Sequence, residues 1–255
     1  MTDSPYEWSP DGSFLVVTAS EFRVIRFDAT GVAPSKVIAE HAYVQQGEFR
    51  PPDGRQILYE PQDVPGHALW VMNADGTGAK PLIEIQPNEA KDGDFGTVQY
   101  SPDGTMIAFL RAPVGDSNQL RVFVMNADGT GARPLTTELG SWTETDLAWS
   151  PDSKRIAFDR WQQDQTDLTW NIQPIGIATV DGGDVVSAGP TPVSDGAWFD
   201  YSPDGTSFIS IPATILGAPY PTSNVQPTVI DATTGKTRTL DWQVGSVLTW
   251  QRLAE

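Results

Sequence analysis

The chain has 255 residues, no cysteine and a formal net charge of −17, from 33 Asp and Glu against 16 Lys and Arg. The lack of cysteine excludes a disulfide framework, a zinc–thiolate site and a thiol nucleophile, and the negative charge disfavours nucleic acids and anionic lipids as partners. Hydrophobic residues make up 39% of the chain, which predicts a packed core.

One phrase, an aromatic residue followed by a Ser-Pro-Asp-Gly turn, recurs along the chain. Its five copies are Trp8–Gly12, Phe49–Gly54, Tyr100–Gly104, Trp149–Ser153 and Tyr201–Gly205. Their aligned prolines, Pro10, Pro52, Pro102, Pro151 and Pro203, are 42, 50, 49 and 52 residues apart. A period of this length made of strand-like segments is typical of β-propeller blades. The sequence therefore predicts an all-β propeller.

Each repeat is predicted to contain four strands in chain order. Strand a ends at the aromatic residue, strand b follows the turn, and strands c and d are joined by a second turn such as Ala74-Asp75-Gly76. Pro, Asp and Gly favour chain reversal because they preset φ, bond the local backbone and accept positive φ. Alternation in segments such as RQILYE and KRIAFD predicts strands with one buried face.

The predicted blades span residues 1–43, 44–93, 94–142, 143–195 and 196–243, and residues 244–255 follow as a further strand a. Propellers commonly close by joining strands from the two chain ends, which removes exposed edges. We therefore expect a six-bladed propeller in which three strands of the last blade would precede residue 1. Five blades that close by themselves, with 244–251 packed on a seam, are the alternative.

The repeat resembles that of TolB-like, or WD-repeat-like, β-propellers of bacteria. The likeness rests on Trp/Tyr-Ser-Pro-Asp-Gly followed by Ile-Ala-Phe, and then on Val-Met-Asn-Ala-Asp-Gly, over essentially the whole chain. The second copy (Phe49-Arg50-Pro51) and the fourth (Ser153 for Gly) depart from this pattern. The resemblance implies a non-catalytic protein- or ligand-binding or sensor domain, periplasmic or extracellular, and we expect a monomer.

Function is predicted at the end of each blade opposite the repeated turns. The connections there are longer and more acidic, and loops on a rigid scaffold are where binding usually occurs. Asp94, Glu144 and Asp195 recur at spacings of 50 and 51 near the start of strand a, at the expected mouth of a central channel. Such carboxylates could hold calcium through oxygen ligands or attract a Lys- and Arg-rich partner segment.

Further candidate binding residues lie in the long connections between strands b and c. They are Asp164, Asp167, Trp161, Trp170 and Tyr220. Aromatic residues are enriched at binding hot spots, although residues flanking a loop are as often part of the core.

Catalytic signals are weak in this sequence. Gly-x-Ser-x-Gly is absent, and His41 and His67 lie in connecting segments without a recognisable nucleophile. No catalytic residue is therefore predicted. The alternative is a metal-dependent hydrolase of the lactonase kind, which would need carboxylates and a metal at the channel mouth.

Overall fold

A computed structural model describes residues 6–44, 49–63, 68–84, 97–112, 119–136, 142–163, 170–188, 198–211 and 226–243. These residues form 21 strands and a 3₁₀ turn at Ser20–Phe22. The strands form five sheets of antiparallel neighbours.

The first sheet contains β1 (Tyr6–Trp8), β2 (Phe14–Ala19), β3 (Arg23–Asp28) and β4 (Lys36–Ala39). The second contains β5 (Ala42–Tyr43), β6 (Gln56–Pro61), β7 (Ala68–Asn73) and β8 (Lys80–Glu84). The third contains β9 (Val98–Tyr100), β10 (Met106–Arg111), β11 (Arg121–Asn126) and β12 (Arg133–Pro134).

The fourth sheet contains β13 (Thr143–Trp149), β14 (Arg155–Gln163), β15 (Trp170–Ile172), β16 (Gly176–Thr179) and β17 (Val186–Ser187). The fifth contains β18 (Trp198–Tyr201), β19 (Ser207–Ile211), β20 (Thr228–Asp231) and β21 (Thr237–Thr239). The predicted further strand at 244–255 lies outside the described residues.

Each sheet is an up-and-down meander, because the strands of a sheet pair in chain order. Among the described residues, only the fourth sheet has an additional strand, β15. It pairs with β14 outside the order β13-β14-β16-β17. The turns from a to b and from c to d therefore lie at one end of a sheet, here called the lower end. The connections from b to c and from d to a lie at the other, upper end.

The chain divides into two compact units. One contains Met1–Ser117 with Phe123–Arg133, and the other contains Asn118–Val122 with Pro134–Glu255. The first unit therefore includes the first two sheets and most of the third, and the second unit includes the fourth and fifth sheets.

The hydrophobic core lies between neighbouring sheets. Within the first unit, Phe49 of the second sheet packs edge-on against Phe14 of the first, with ring centroids 5.4 Å apart. Tyr100 packs in the same way among residues of the second sheet. Within the second unit, Tyr201 packs among residues of the fourth sheet. The aromatic residue of the repeat is thus an anchor between sheets.

The b strands are buried on both faces, which corrects the alternation read from the sequence. Ile57, Leu58 and Tyr59 are consecutive and all buried, and the same holds for Ile156, Ala157 and Phe158. A strand whose two faces are both covered carries a continuous apolar run rather than an alternating one.

The first sheet differs from the others because one of its faces exposes apolar side chains to solvent. Trp8, the repeat aromatic of this sheet, is 50% exposed, whereas Tyr100 and Tyr201 are 5% and 2% exposed. Tyr6, Phe27 and Val37 are also exposed, and the strand registers place them on the same face as Trp8. Equivalent faces in the second, third and fifth sheets contact another sheet within their unit.

The repeated turn is built by its serine and aspartate side chains. In the last copy, Asp204 Oδ1 accepts hydrogen bonds from Ser202 Oγ at 2.7 Å and from Thr206 N at 3.0 Å. Ser202 Oγ also accepts a bond from Ser207 N at 3.0 Å. These bonds favour the charged carboxylate and lower the pKa of Asp204 to about 2.

The glycine of the repeated turn also allows the turns of successive sheets to approach one another. A Cβ on Gly104 would lie 2.0 Å from the carbonyl oxygen of Pro51, and one on Gly54 would lie 2.6 Å from Pro10 Cδ. Gly12 has a similar positive φ of +67° but no atom within 4 Å of the position that a Cβ would take. The repeat therefore needs glycine for two reasons, its φ angle and its lack of a side chain.

Two alanine substitutions separate these reasons. Gly12→Ala should lower the free energy of unfolding by about 1 kcal/mol, because alanine is strained at positive φ. Gly104→Ala should lower the free energy of unfolding by about 2 kcal/mol more than Gly12→Ala does, since its Cβ would also overlap Pro51. Denaturant unfolding of both variants measures the difference, and equal losses would show that the turns of the second and third sheets do not approach so closely.

The turn carboxylates should make the fold sensitive to acid. The folded-state pKa of Asp204 lies near 2, below its ordinary value of 3.8, so its stabilisation is complete above about pH 4 and is lost as the pH falls towards 2. Asp204→Asn should be less stable than the parent at neutral pH, and this difference should shrink over that range. Denaturant unfolding at several pH values tests this, and a difference that does not change with pH would contradict it.

Candidate functional site

Ionisable side chains concentrate on the inner hairpin of the fourth sheet, near its upper end. Strands β13 and β14 pair antiparallel, so that Glu144 lies opposite Arg160 and Thr145 opposite Asp159. Successive side chains of a strand point to opposite faces. Glu144 and Arg160 therefore share one face, and Thr145 and Asp159 share the other. Together with Asp146, these five residues are called the polar cluster below.

Glu144 is the centre of a hydrogen-bonded network on the first face. Its side chain is 1% exposed, and its Oε1 accepts a hydrogen bond from Arg160 Nη2 at 2.8 Å. Its Oε2 accepts bonds from Val122 N at 2.8 Å and from the hydroxyl of Thr136. A buried carboxylate with an arginine and two further donors is well compensated, so Glu144 joins Arg160, Val122 and Thr136 in one hydrogen-bonded network.

Arg121 reinforces the same region. It is 8% exposed, and its guanidinium donates to the carbonyl oxygen of Leu120 at 2.9 Å, to Gln119 Oε1 at 2.7 Å and to the carbonyl oxygen of Trp142. The backbone N–H of Glu144 donates to the carbonyl oxygen of Leu120 at 3.0 Å. The upper end of β13 is therefore held by both side-chain and main-chain bonds.

The carboxyl group of Asp159, on the second face of the hairpin, has no comparable set of hydrogen-bond donors within the described ranges. Asp159 is 7% exposed, and its Oδ2 has no hydrogen-bond partner among the described residues. Burial raises the pKa of Asp159 well above its ordinary value, and the charge of Asp146 raises it further. Burial also raises the pKa of Asp146. Two neighbouring carboxyl groups in a poorly solvated position resist ionisation together.

A β-bulge brings Asp146 into this arrangement. The register of β13 shifts between Thr145 and Leu147, and Asp146 has φ +37°, which is uncommon for a residue other than glycine. Bulges redirect side chains and are frequent next to functional sites.

Beyond the polar cluster, β14 continues into a hairpin that rises past the sheet. Its lower part pairs with β16, and its upper part, from Trp161 to Gln163, pairs with β15. The sequence predicted an irregular connection between strands b and c here, and this segment instead begins and ends in paired strand. Trp161, which is partly exposed, directly follows Arg160 of the buried ion pair.

The structure describes only part of the site predicted from sequence. Glu144 is buried in the network above, Trp161 lies on the hairpin, and the backbone of Trp170 pairs with Gln163. The remaining candidates, Asp94, Asp164, Asp167, Asp195 and Tyr220, lie outside the described residues. His41, in the connection before β5, is exposed, and His67 lies outside the described residues.

Sequence reasoning missed Asp146 and Asp159 as site residues. One signal was available for Asp159, because the b strand of the third repeat reads Ile-Ala-Phe-Leu where the fourth reads Ile-Ala-Phe-Asp. Within the described residues, no group of three or more His, Asp or Glu side chains is arranged to hold a metal ion.

No protein-family model matches the chain. The chain is similar to the Tol-Pal system protein TolB of Anaeromyxobacter dehalogenans (strain 2CP-C), with 33% identity over 117 residues, 46% of this chain and 24% of that protein. The match thus spans about a quarter of that relative's length.

Two solved structures are similar over nearly the whole chain. The putative TolB from Agrobacterium tumefaciens has a TM-score of 0.63 at 21% identity, covering 95% of this chain and 82% of that one. Oligogalacturonate lyase from Vibrio parahaemolyticus has a TM-score of 0.65 at 15% identity, covering 93% and 64%. These matches confirm the predicted β-propeller fold, and with the sequence match they confirm the TolB-like resemblance.

The Glu144–Arg160 pair can be tested by a double-mutant cycle. Glu144→Ala should lower the free energy of unfolding by about 3–5 kcal/mol, because it leaves a buried arginine without its carboxylate. Arg160→Met keeps the aliphatic volume, and the double variant should show a coupling free energy of about 1–3 kcal/mol. Denaturant unfolding measures all four proteins, and additive effects would mean that the two side chains do not interact.

Proposed function

We propose that this TolB-like β-propeller is a non-catalytic interaction module that binds a cationic segment of a protein partner at the upper end of its fourth sheet. The observation that carries the proposal is the β14–β15 hairpin, whose stem extends beyond the last pairing between β14 and β16. A hairpin projecting from a packed sheet offers a surface that the fold itself does not require.

The chemistry of this hairpin favours a positively charged partner. Residues 161–172 contain two tryptophans and two aspartates and neither Lys nor Arg. Aromatic side chains supply contact area and attract cations over their rings, and carboxylates steer basic segments towards them. The net charge of −17 on the whole chain acts in the same direction at longer range.

The base of the hairpin is rigid, which favours binding by a preformed surface. Arg160 is fixed by Glu144, which is itself bonded to Val122 and Thr136. A surface that is ordered before the partner arrives loses less conformational entropy on binding.

The Tol-Pal system membership in the name of the TolB relative supports a role in a protein assembly, and we extend the proposal to a periplasmic or extracellular location.

An enzymatic role is the competing hypothesis, since one structural neighbour is a lyase. Similarity of fold at this identity does not carry an activity from one propeller to another. A metal-dependent hydrolase would need a ligand set at the channel mouth, and the described residues contain no group of three or more His, Asp or Glu suited to one.

Among the described residues, no helix is long and apolar enough to cross a membrane.

Charge reversal on the hairpin tests the proposal. The probe is a fluorescent synthetic peptide rich in Lys, Arg and Tyr, compared with a matched peptide that has Glu in place of Lys and Arg. The cationic peptide should bind and the anionic one should not. Asp164→Lys with Asp167→Lys should weaken binding of the cationic peptide at least about tenfold, and more at low salt.

A matched control separates local from overall charge. Asp181 and Asp184 are exposed at the lower end of the same sheet, so Asp181→Lys with Asp184→Lys makes the same change in net charge away from the hairpin. This variant should bind the cationic peptide within about threefold of the parent. Equal weakening by both double variants would contradict binding at the hairpin, as would failure of the cationic peptide to bind the parent.

A further inference from the structure

Asp159 occupies a position that the third and fifth sheets fill with an apolar residue. The registers align it with Leu110 of β10 and Ile211 of β19, each three residues after the strand b residue that pairs with the repeat aromatic. Leu110 and Ile211 are 2% and 1% exposed. The same register places Glu60 of the second sheet and Thr18 of the first sheet at this position. Glu60 is only partly buried, and Thr18 Oγ1 is bonded to the backbone of Val44. A fully buried carboxylate is costly unless something compensates it.

In the described part of the chain, the neighbours of Asp159 on its own face carry hydroxyl and carboxyl oxygen atoms and no cationic group. Thr145 lies directly opposite it on β13, and Thr145 Oγ1 is buried with no hydrogen-bond partner among the described residues. Asp146 follows at the bulge and raises the pKa of Asp159 through its charge. Arg160, the next residue along β14, lies on the opposite face and bonds to Glu144.

The facing surface of the fifth sheet carries a second substitution. Ser210 takes the position of Tyr59, Phe109 and Phe158 in the second, third and fourth sheets. It is 0% exposed, and its Oγ has no hydrogen-bond partner among the described residues. A serine in place of an aromatic ring leaves space between two sheets that elsewhere pack tightly.

Ser210 and Asp159 lie on the facing surfaces of the two sheets. Ala157 of β14 and Phe208 of β19 belong to one buried cluster between these sheets. Asp159 lies two residues beyond Ala157, and Ser210 lies two residues beyond Phe208, so both continue on the facing surfaces towards the upper end. Two carboxyl groups and two hydroxyls, with unpartnered oxygen atoms on three of these residues, thus lie on or beside the facing surfaces of these two sheets.

We propose that Asp146, Asp159, Thr145 and Ser210 bind a calcium ion between the fourth and fifth sheets. Calcium takes six to eight oxygen ligands in irregular geometry and accepts water for those that the protein does not provide, whereas magnesium demands a near-ideal octahedron. Two carboxylates neutralise the ion. So few charged ligands predict a dissociation constant of about 0.1–1 mM, in the range of extracellular modules.

This site differs from the ring of Asp94, Glu144 and Asp195 predicted from the sequence. Both oxygen atoms of Glu144 already accept hydrogen bonds within the protein. The calcium site is also independent of the hairpin proposed to bind a partner, so each proposal can fail while the other holds.

Thermal unfolding of the chelator-treated chain tests the site. Millimolar calcium chloride should raise the melting temperature by about 3–5 °C, and magnesium or sodium chloride at the same ionic strength should raise it less. Asp159→Asn should melt higher than the parent without calcium, because an unpaired buried carboxylate is gone, and should lose the calcium-dependent shift. The control Asp181→Asn, in an exposed turn of the same sheet, should keep the shift.

A second measurement covers the case in which Asp159→Asn does not fold. Terbium, which replaces calcium and is excited by nearby tryptophan, should luminesce with the parent, because Trp161 lies on the same face two residues beyond Asp159. Ser210→Phe restores the aromatic residue of the third and fourth sheets, and it should abolish both the luminescence and the calcium shift. Absence of a calcium shift in the parent, or an equal shift in the folded Asp159→Asn or Ser210→Phe variant, would overturn the proposal.

Discussion

Each four-stranded sheet of this protein is stable only when a neighbouring sheet covers its faces. A single sheet of this size cannot bury enough apolar surface alone, so stacking determines what each strand position must contain. The repeat aromatic becomes an anchor between sheets, as Phe49 against Phe14 shows. The turns must also nest, which requires glycine where Gly104 meets Pro51.

Because stacking fixes the residue type at each position, departures from the repeat become informative. Glu144, Asp159 and Ser210 are polar residues at buried positions, and all three lie in the fourth and fifth sheets. Glu144 is compensated by Arg160, Val122 and Thr136, whereas Asp159 and Ser210 each keep an unpartnered oxygen atom among the described residues. Hydrogen bonds compensate Glu144, and the proposed calcium ion would compensate Asp159 and Ser210.

Much of the fold could be predicted from the sequence because its signals are local. Asp204 bonds to Ser202 and Thr206 within its own turn, so the turn motif carries its own structure and sets the phase of the strands. The role of Glu144 could not be predicted in this way, because its partner Val122 is 22 residues away in another sheet. The β14–β15 hairpin was missed because a polar segment does not distinguish a paired strand from a loop.

The distribution of acidic residues follows from the same constraint. At the lower end, carboxylates such as Asp11 and Asp204 are already used by their turns, and their hydrogen bonds lower both pKa values to about 2. These bonds orient the carboxylates within their turns and keep them ionised at neutral pH. Because these turns repeat from sheet to sheet, a carboxylate that marks one binding position must come from residues that depart from the repeat. The upper end of the fourth sheet departs from it, because there β14 continues beyond its pairing with β16 and pairs with β15.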